Sequence, residues 1–144
     1  LDGLLTFDLK GIESTTAYKN LDKGAYPLFL LDWFPDFLDA DNYIQPFMEC
    51  SAGSPQTGCT EGSSFLQGSF YYSDRANQLI DQSRIAQQSA SRTAIFGELQ
   101  KLLVEEVPFI PLWQSKDFLF VQRSVQGASL EATQKVPFWP LRRA

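Results

Sequence analysis

Residues 26–43 read YPLFLLDWFPDFLDADNY, and the expected fold follows from how this stretch is interpreted. Four apolar residues in a row, LFLL at 28–31, run into an aromatic loop interrupted by Pro35. A continuous apolar run of this length predicts a strand covered on both faces, as in a parallel sheet. Upstream, Leu5, Phe7 and Leu9 alternate with Leu4, Thr6 and Asp8, which predicts a first strand. Between the two, Ser14 is placed to cap a short helix, with Ala17, Tyr18 and Leu21 on its apolar face and Gly24 at its stop. Strand, helix, strand in that order is one βαβ unit, so the expected class is α/β.

The loop after the second strand carries Asp32, Asp36, Asp39 and Asp41. A buried strand that opens into such a loop presents a ligand site on a rigid support. Pro35 fixes a backbone angle just before Asp36, so that carboxylate is expected to be held in place. An acidic loop of this kind suits a positively charged partner such as an amine. The competing reading is that these acids cap the next helix and face water.

Further along, DNYIQPFMEC predicts a short helix broken by Pro46, and residues 51–69 read as a long Gly/Ser/Pro/Thr-rich surface loop. Cys50 and Cys59 flank part of that loop. In an oxidising compartment they would close it with a disulfide, and in a reducing one they would remain two thiols. Asp74 is placed to cap a helix reaching about Gln87, with Ala76, Leu79, Ile80 and Ile85 inward. Ser91 opens a second helix whose stripe is Ile95, Phe96, Leu99, Leu102 and Leu103, ended by Pro108. Residues 108–114 (PFIPLWQ) and 117–122 (DFLFVQ) read as strands, and Gly127 marks a turn. Phe138 and Trp139 make an aromatic tail that should dock on protein.

The chain has 144 residues, 44% of them hydrophobic and 14% aromatic, enough to bury a core. Its net charge of -5 argues against a nucleic-acid partner. No apolar run is long enough to predict a transmembrane segment. It begins LDGLLTFDLKG, without Met and already patterned like structure, which reads as a piece of a longer product. There is no histidine, which excludes the usual Ser-His and Cys-His nucleophiles and makes zinc a poor fit. There is no Gly-x-Ser-x-Gly elbow and no phosphate-cradling loop. A calcium loop over Asp36, Asp39 and Asp41 fails because Tyr43 stands where the third ligand belongs. A glycosidase pair using Asp36 lacks support elsewhere in the chain. The expectation is a binding protein rather than an enzyme, with no metal and no cofactor.

The order of these features resembles the C-terminal portion of the extracytoplasmic solute-binding proteins of ABC importers, in the peptide- and nickel-binding (dipeptide/oligopeptide-binding) family. The family's strand, Gly-Trp-x-x-Asp loop and Asp-Pro-x-Asn-Phe motif are matched by LLDWFPDFLDADNY, with Trp33, Asp36, Asp39, Asp41, Asn42 and Tyr43 in corresponding places. Asp32 replaces the usual Gly and Ala40 the usual Pro. FYYSDRANQLIDQSR and SRTAIFGELQKLLVEEVPFIPLWQSKDFLF match later blocks, followed by the Val-x-Gly at 125–127. The resemblance implies a two-lobe periplasmic-binding-protein fold. Residues 1–117 would be the second half of the C-terminal ligand-binding lobe, and 118–144 a crossover and tail returning toward the other lobe. It implies capture of short peptides between lobes, delivery to the membrane permease subunits, and a periplasmic or extracytoplasmic, lipid-anchored or soluble, location. Asp36 would pair with a peptide's α-amino group, with Trp33 and Phe34 as apolar walls. The alternatives are a non-peptide solute, such as a nickel complex or sugar, and a free-standing secreted interaction module.

Overall fold

Five α-helices and two small two-stranded sheets make up the regular structure in the computed structural model, which describes residues 3–4 and 6–144. The first helix, α1 (Ser14–Leu21), starts one residue earlier than a Ser14 cap implies. Glu13 takes that role: its carboxylate accepts the N–H groups of Thr15 at 2.9 Å and Thr16 at 2.8 Å. Two charge-assisted bonds at a helix start stabilise the ionised form and hold this exposed acid down at about 2. Leu21 is buried, whereas Tyr18 stays exposed.

The helix α2 (Asp41–Met48) contains Pro46 without being broken by it. Proline removes one donor, yet the last turn still closes, with the Glu49 N–H donating to the Gln45 carbonyl at 3.0 Å. Ile44 and Met48, four residues apart, bury the same face of this helix.

The stretch expected to be one long loop is instead a hairpin and a helical turn. Strands β1 (Ala52–Ser54) and β2 (Gly58–Glu61) pair antiparallel, and α3 (Ser63–Leu66) follows. Cys50 and Cys59 are joined by a disulfide, with Cα atoms 5.6 Å apart. Gly53 lies so close to the Gly58 carbonyl that any side chain there would clash with backbone. The Asn77 side-chain amide brackets Cys50, donating to its carbonyl at 2.8 Å and accepting from its N–H at 2.9 Å. The hairpin is thus closed at its base by the disulfide and tied through Asn77 to the helix at Asp74–Ile85.

Helices α4 (Asp74–Ile85) and α5 (Ser89–Glu106) pack on each other, as the apolar periodicity predicts. Ser73, not Asp74, caps α4 by accepting the Ala76 N–H. Ala76, Leu79, Ile80 and Leu99 join Ile44 and Met48 in one buried cluster. Ile95, Phe96, Leu102, Leu103, Tyr71 and Phe109 pack at its margin. Ile85, the last residue of α4, belongs to none of this and is exposed. Val107 stops α5 in a left-handed conformation, with Pro108 behind it.

The expected βαβ unit does not form among the described residues. Residues 6–10 and 29–35 have no regular structure, and neither do 110–122. Leu5 lies outside the described residues. Leu28 is 70% exposed and Phe120 is 90% exposed. A strand is defined by its ladder partners, and among the described residues none of these segments enters a ladder. The remaining sheet joins β3 (Val125–Gln126) to β4 (Arg142–Arg143), turning at Gly127 and closed by the Ala144 N–H on the Ser124 carbonyl at 2.8 Å. Gly127 has φ +76°, and a Cβ there would run into the Pro140 carbonyl, so only glycine fits. Phe138 and Trp139 are exposed rather than docked. The observed class is mixed helix and small antiparallel sheets.

Candidate functional site

The acidic loop is held by the helices on either side of it. Asp39 meets Arg92 of α5 in a two-pronged ion pair, at 2.5 and 2.7 Å. Its Oδ1 also accepts the N–H of Asp41, the first residue of α2, at 2.8 Å. Arg92's hydrogen bonds hold the Asp39 carboxyl below its ordinary range, and Asp39 in turn raises Arg92. Arg92 is itself fixed, donating from Nε to the Ser83 carbonyl at 3.0 Å and lying 5.1 Å over the Phe96 ring. Asp41 takes a second arginine, Arg84 of α4, at 3.1 Å. Both carboxylates are therefore committed to the scaffold through arginines, and Asp39 also accepts a helix-start N–H as the capping interpretation expects, though neither acid simply faces water.

Asp32 and Asp36 are different. Both are exposed, and among the described residues neither side chain has an ion-pair or hydrogen-bond partner. The Asp36 backbone is nevertheless fixed: its N–H donates to Asn42 Oδ1 at 3.1 Å. The same oxygen accepts the Trp33 indole N–H at 3.3 Å. Asn42 is 7% exposed and sits in the first turn of α2. Pro35, between the two donors, is buried. The loop at 33–36 is thus pinned at both ends to one side-chain oxygen.

The three side chains singled out from sequence have different surroundings. Trp33 is half-buried, edge-on to Phe47 with centroids 5.1 Å apart, and Phe47 continues to Phe109 at 4.9 Å. Phe34 is exposed and lines an open groove of about 420 Å³ with Asp117, Phe118, Leu130, Thr133, Gln134 and Lys135. Asp36 lines neither this groove nor the second one, which runs beside Arg92 and Phe96. Cys50 and Cys59, the remaining pair, form the buried disulfide of the hairpin.

Sequence reasoning did not identify Arg84, Arg92 or Asn77 as contributors, and placed Asn42 only as part of a motif. Asp39 and Arg92 lie 53 positions apart, so no local pattern signals their pairing. Among the described residues no group of acids, cysteines or histidines is arranged to hold a metal ion, and no helix is long and apolar enough to cross a membrane.

No family model matches the chain, and no solved structure matches it. It is similar to several curated bacterial proteins. The probable di/tripeptide-binding protein 5 of Pseudomonas aeruginosa is 25% identical over 120 residues, covering 83% of this chain and 21% of that protein. The probable D,D-dipeptide-binding periplasmic protein DdpA of Escherichia coli is 26% identical over 121 residues, again 83% of this chain and 21% of its own length. The probable ABC transporter periplasmic-binding protein SapA of Escherichia coli is 24% identical over 106 residues, 74% of this chain and 18% of that protein. The chain spans about a fifth of the length of the curated relatives it matches. A span of 120 residues in a chain of 144 necessarily includes positions 25–120, so the similarity to the di/tripeptide-binding protein takes in the whole acidic loop.

Proposed function

We propose that this chain is part of the substrate-binding component of an ABC importer, acting outside the cytoplasmic membrane and taking short peptides. Residues 1–117 belong to the second half of its C-terminal lobe, and 118–144 cross back toward the other lobe. The exposed apolar segments around 28–31 and 110–121 are where the rest of that lobe packs, because apolar surface on this scale is normally covered. The protein binds and hands on its cargo to membrane permease subunits, performing no chemistry on it. Lobe closure around the peptide is the hinge motion that such a role requires.

Asp36 is the residue that anchors the peptide's α-ammonium group. One observation carries this reading: of the loop's acids, Asp36 combines a fixed backbone with a side chain that no arginine or lysine occupies among the described residues, while Asp39 and Asp41 are already paired. Closure of a second lobe over it would exclude water and strengthen a charge-assisted hydrogen bond. Phe34, exposed along its groove, and Trp33, packed edge-on to Phe47, supply apolar walls for the peptide.

Asp36→Asn in the two-lobed protein tests this, with trialanine titrated calorimetrically. A charge-assisted hydrogen bond contributes about 1.5–3 kcal/mol, so affinity should fall by about 10- to 150-fold. Unchanged affinity would remove the amine-anchor role from Asp36. The exposed Phe138 and Trp139 favour a second reading, a secreted interaction module that docks a protein through its tail. Such a module would bind no trialanine at all, with or without Asp36.

A further inference from the structure

From the geometry of the 33–42 loop we infer that Asn42 is the positioning residue of the peptide site, setting Asp36 and Trp33 together through one buried oxygen. The inference rests on the reading of Asp36 as the amine anchor and concerns how that anchor is aimed. A single carbonyl oxygen has two lone pairs, and Asn42 Oδ1 uses both inside the loop: one for the Trp33 indole N–H at 3.3 Å, one for the Asp36 backbone N–H at 3.1 Å. The side chain that supplies them is nearly sealed from water, at 7% exposure, so water cannot replace either bond without opening the loop.

Asn42 is in turn held by contacts outside the 33–36 segment that it pins. It lies in the first turn of α2, whose start is fastened to α4 by Asp41 and Arg84 and to α5 by Asp39 and Arg92. Its own N–H donates to the Asp39 carbonyl at 3.1 Å. The line of support therefore runs from the helical core through two arginine pairs to the start of α2, and from Asn42 to the residues that face the ligand. Among the described residues the Asp36 carboxylate makes no hydrogen bond or ion pair, so its placement rests on the backbone position that its N–H bond to Asn42 fixes. Pro35 removes a further degree of freedom between the two points that Asn42 holds. A displacement of about 1 Å in such an anchor is enough to weaken a directional ammonium contact substantially.

Asn42→Leu removes the acceptor while keeping a similar side-chain volume. Asn42→Asp keeps an acceptor oxygen and places a negative charge in a first helical turn, where the backbone dipoles favour it. Three readouts are taken on the two-lobed protein: trialanine affinity, hydrogen exchange at the Asp36 amide, and the ¹⁹F signal of fluorotryptophan at position 33, assigned by its loss in Trp33→Phe. The inference expects Asn42→Leu to shift the Trp33 signal, speed exchange at Asp36 and lower affinity at least tenfold, with Asn42→Asp restoring all three. An unmoved Trp33 signal and unchanged Asp36 exchange in Asn42→Leu would overturn it. So would a loosened loop with full affinity in a protein that Asp36→Asn weakens, because the loop would then not govern the anchor. Failure of the anchor reading has a different signature, in which Asp36→Asn alone leaves trialanine binding untouched. In that case the signals at Trp33 and Asp36 still decide whether Asn42 holds the loop.

Discussion

Replacing Asp39 separates the two tasks that its carboxylate performs. One oxygen satisfies the free N–H of Asp41 at the start of α2, and both oxygens face the Arg92 guanidinium. Loss of a helix-start acceptor costs about 1 kcal/mol. An exposed ion pair contributes less than about 1 kcal/mol, whereas hydrogen bonds to charged groups reach about 1.5–3 kcal/mol. This pair lies between those limits, with side chains 31% and 28% exposed and both prongs engaged. Asp39→Ala should therefore destabilise the protein by about 2–3 kcal/mol, and Asp39→Asn, which keeps an acceptor for Asp41, by about 1–2 kcal/mol. Urea unfolding of the two variants, of Arg92→Gln and of the double variant measures this directly. The double-mutant cycle should show a coupling of about 1 kcal/mol or more. Because the folded Asp39 titrates below its unfolded value of about 3.9, its stabilisation is present above that pH and lost as pH falls through the folded value. The difference between wild type and Asp39→Asn should accordingly shrink below about pH 4. A cost under about 0.5 kcal/mol for Asp39→Ala, or no coupling to Arg92, would refute the view that this pair fastens the loop to the helices.

Two other outcomes follow from the scaffold. The disulfide between Cys50 and Cys59 closes a loop with a sequence separation of 9, so reducing it or introducing Cys50→Ser with Cys59→Ser should cost about 2.5 kcal/mol by chain entropy, read as a lower urea midpoint. The Tyr71 hydroxyl is pushed up to about 12, first by burial and then by its 2.6 Å bond to Glu106. A raised folded value means stability that is full below about pH 10 and lost as pH climbs through the folded value. Ultraviolet titration should show a late tyrosinate phase that Tyr71→Phe removes, and persistence of that phase in the variant would assign it elsewhere.

What the sequence made legible was local. The pairing of α4 with α5 follows from apolar residues spaced at helical intervals, and Ala76, Leu79, Ile80 and Leu99 are buried as that spacing requires. The helix near Ser14 and the one after Asp41 were readable within a residue or two, because caps and turns act over short distances. The hairpin at 52–61 was missed for the opposite reason: its Gly, Ser and Thr residues carry little apolar signal, and glycine permits a close strand pair that composition alone describes as loop. In the acidic loop, Trp33, Phe34 and Asp36 stood out by residue type, but their arrangement did not. Arg84 and Arg92 carry no mark that distinguishes them from other surface arginines until α4 and α5 bring them against Asp41 and Asp39.

The positions of α1, α2, α4 and α5 and the acidic character of the 32–41 segment were thus settled along the chain, where near neighbours carry the deciding energies, whereas the sequence left Cys50 and Cys59 open between a disulfide and two thiols. Which apolar runs become strands is not settled that way, because a ladder needs a second backbone and the segments at 28–31 and 110–122 enter no ladder among the described residues. Nor is the division of labour among the four aspartates. That depends on which arginine each can reach in space, and it leaves Asp36 with a held backbone and an unengaged carboxylate.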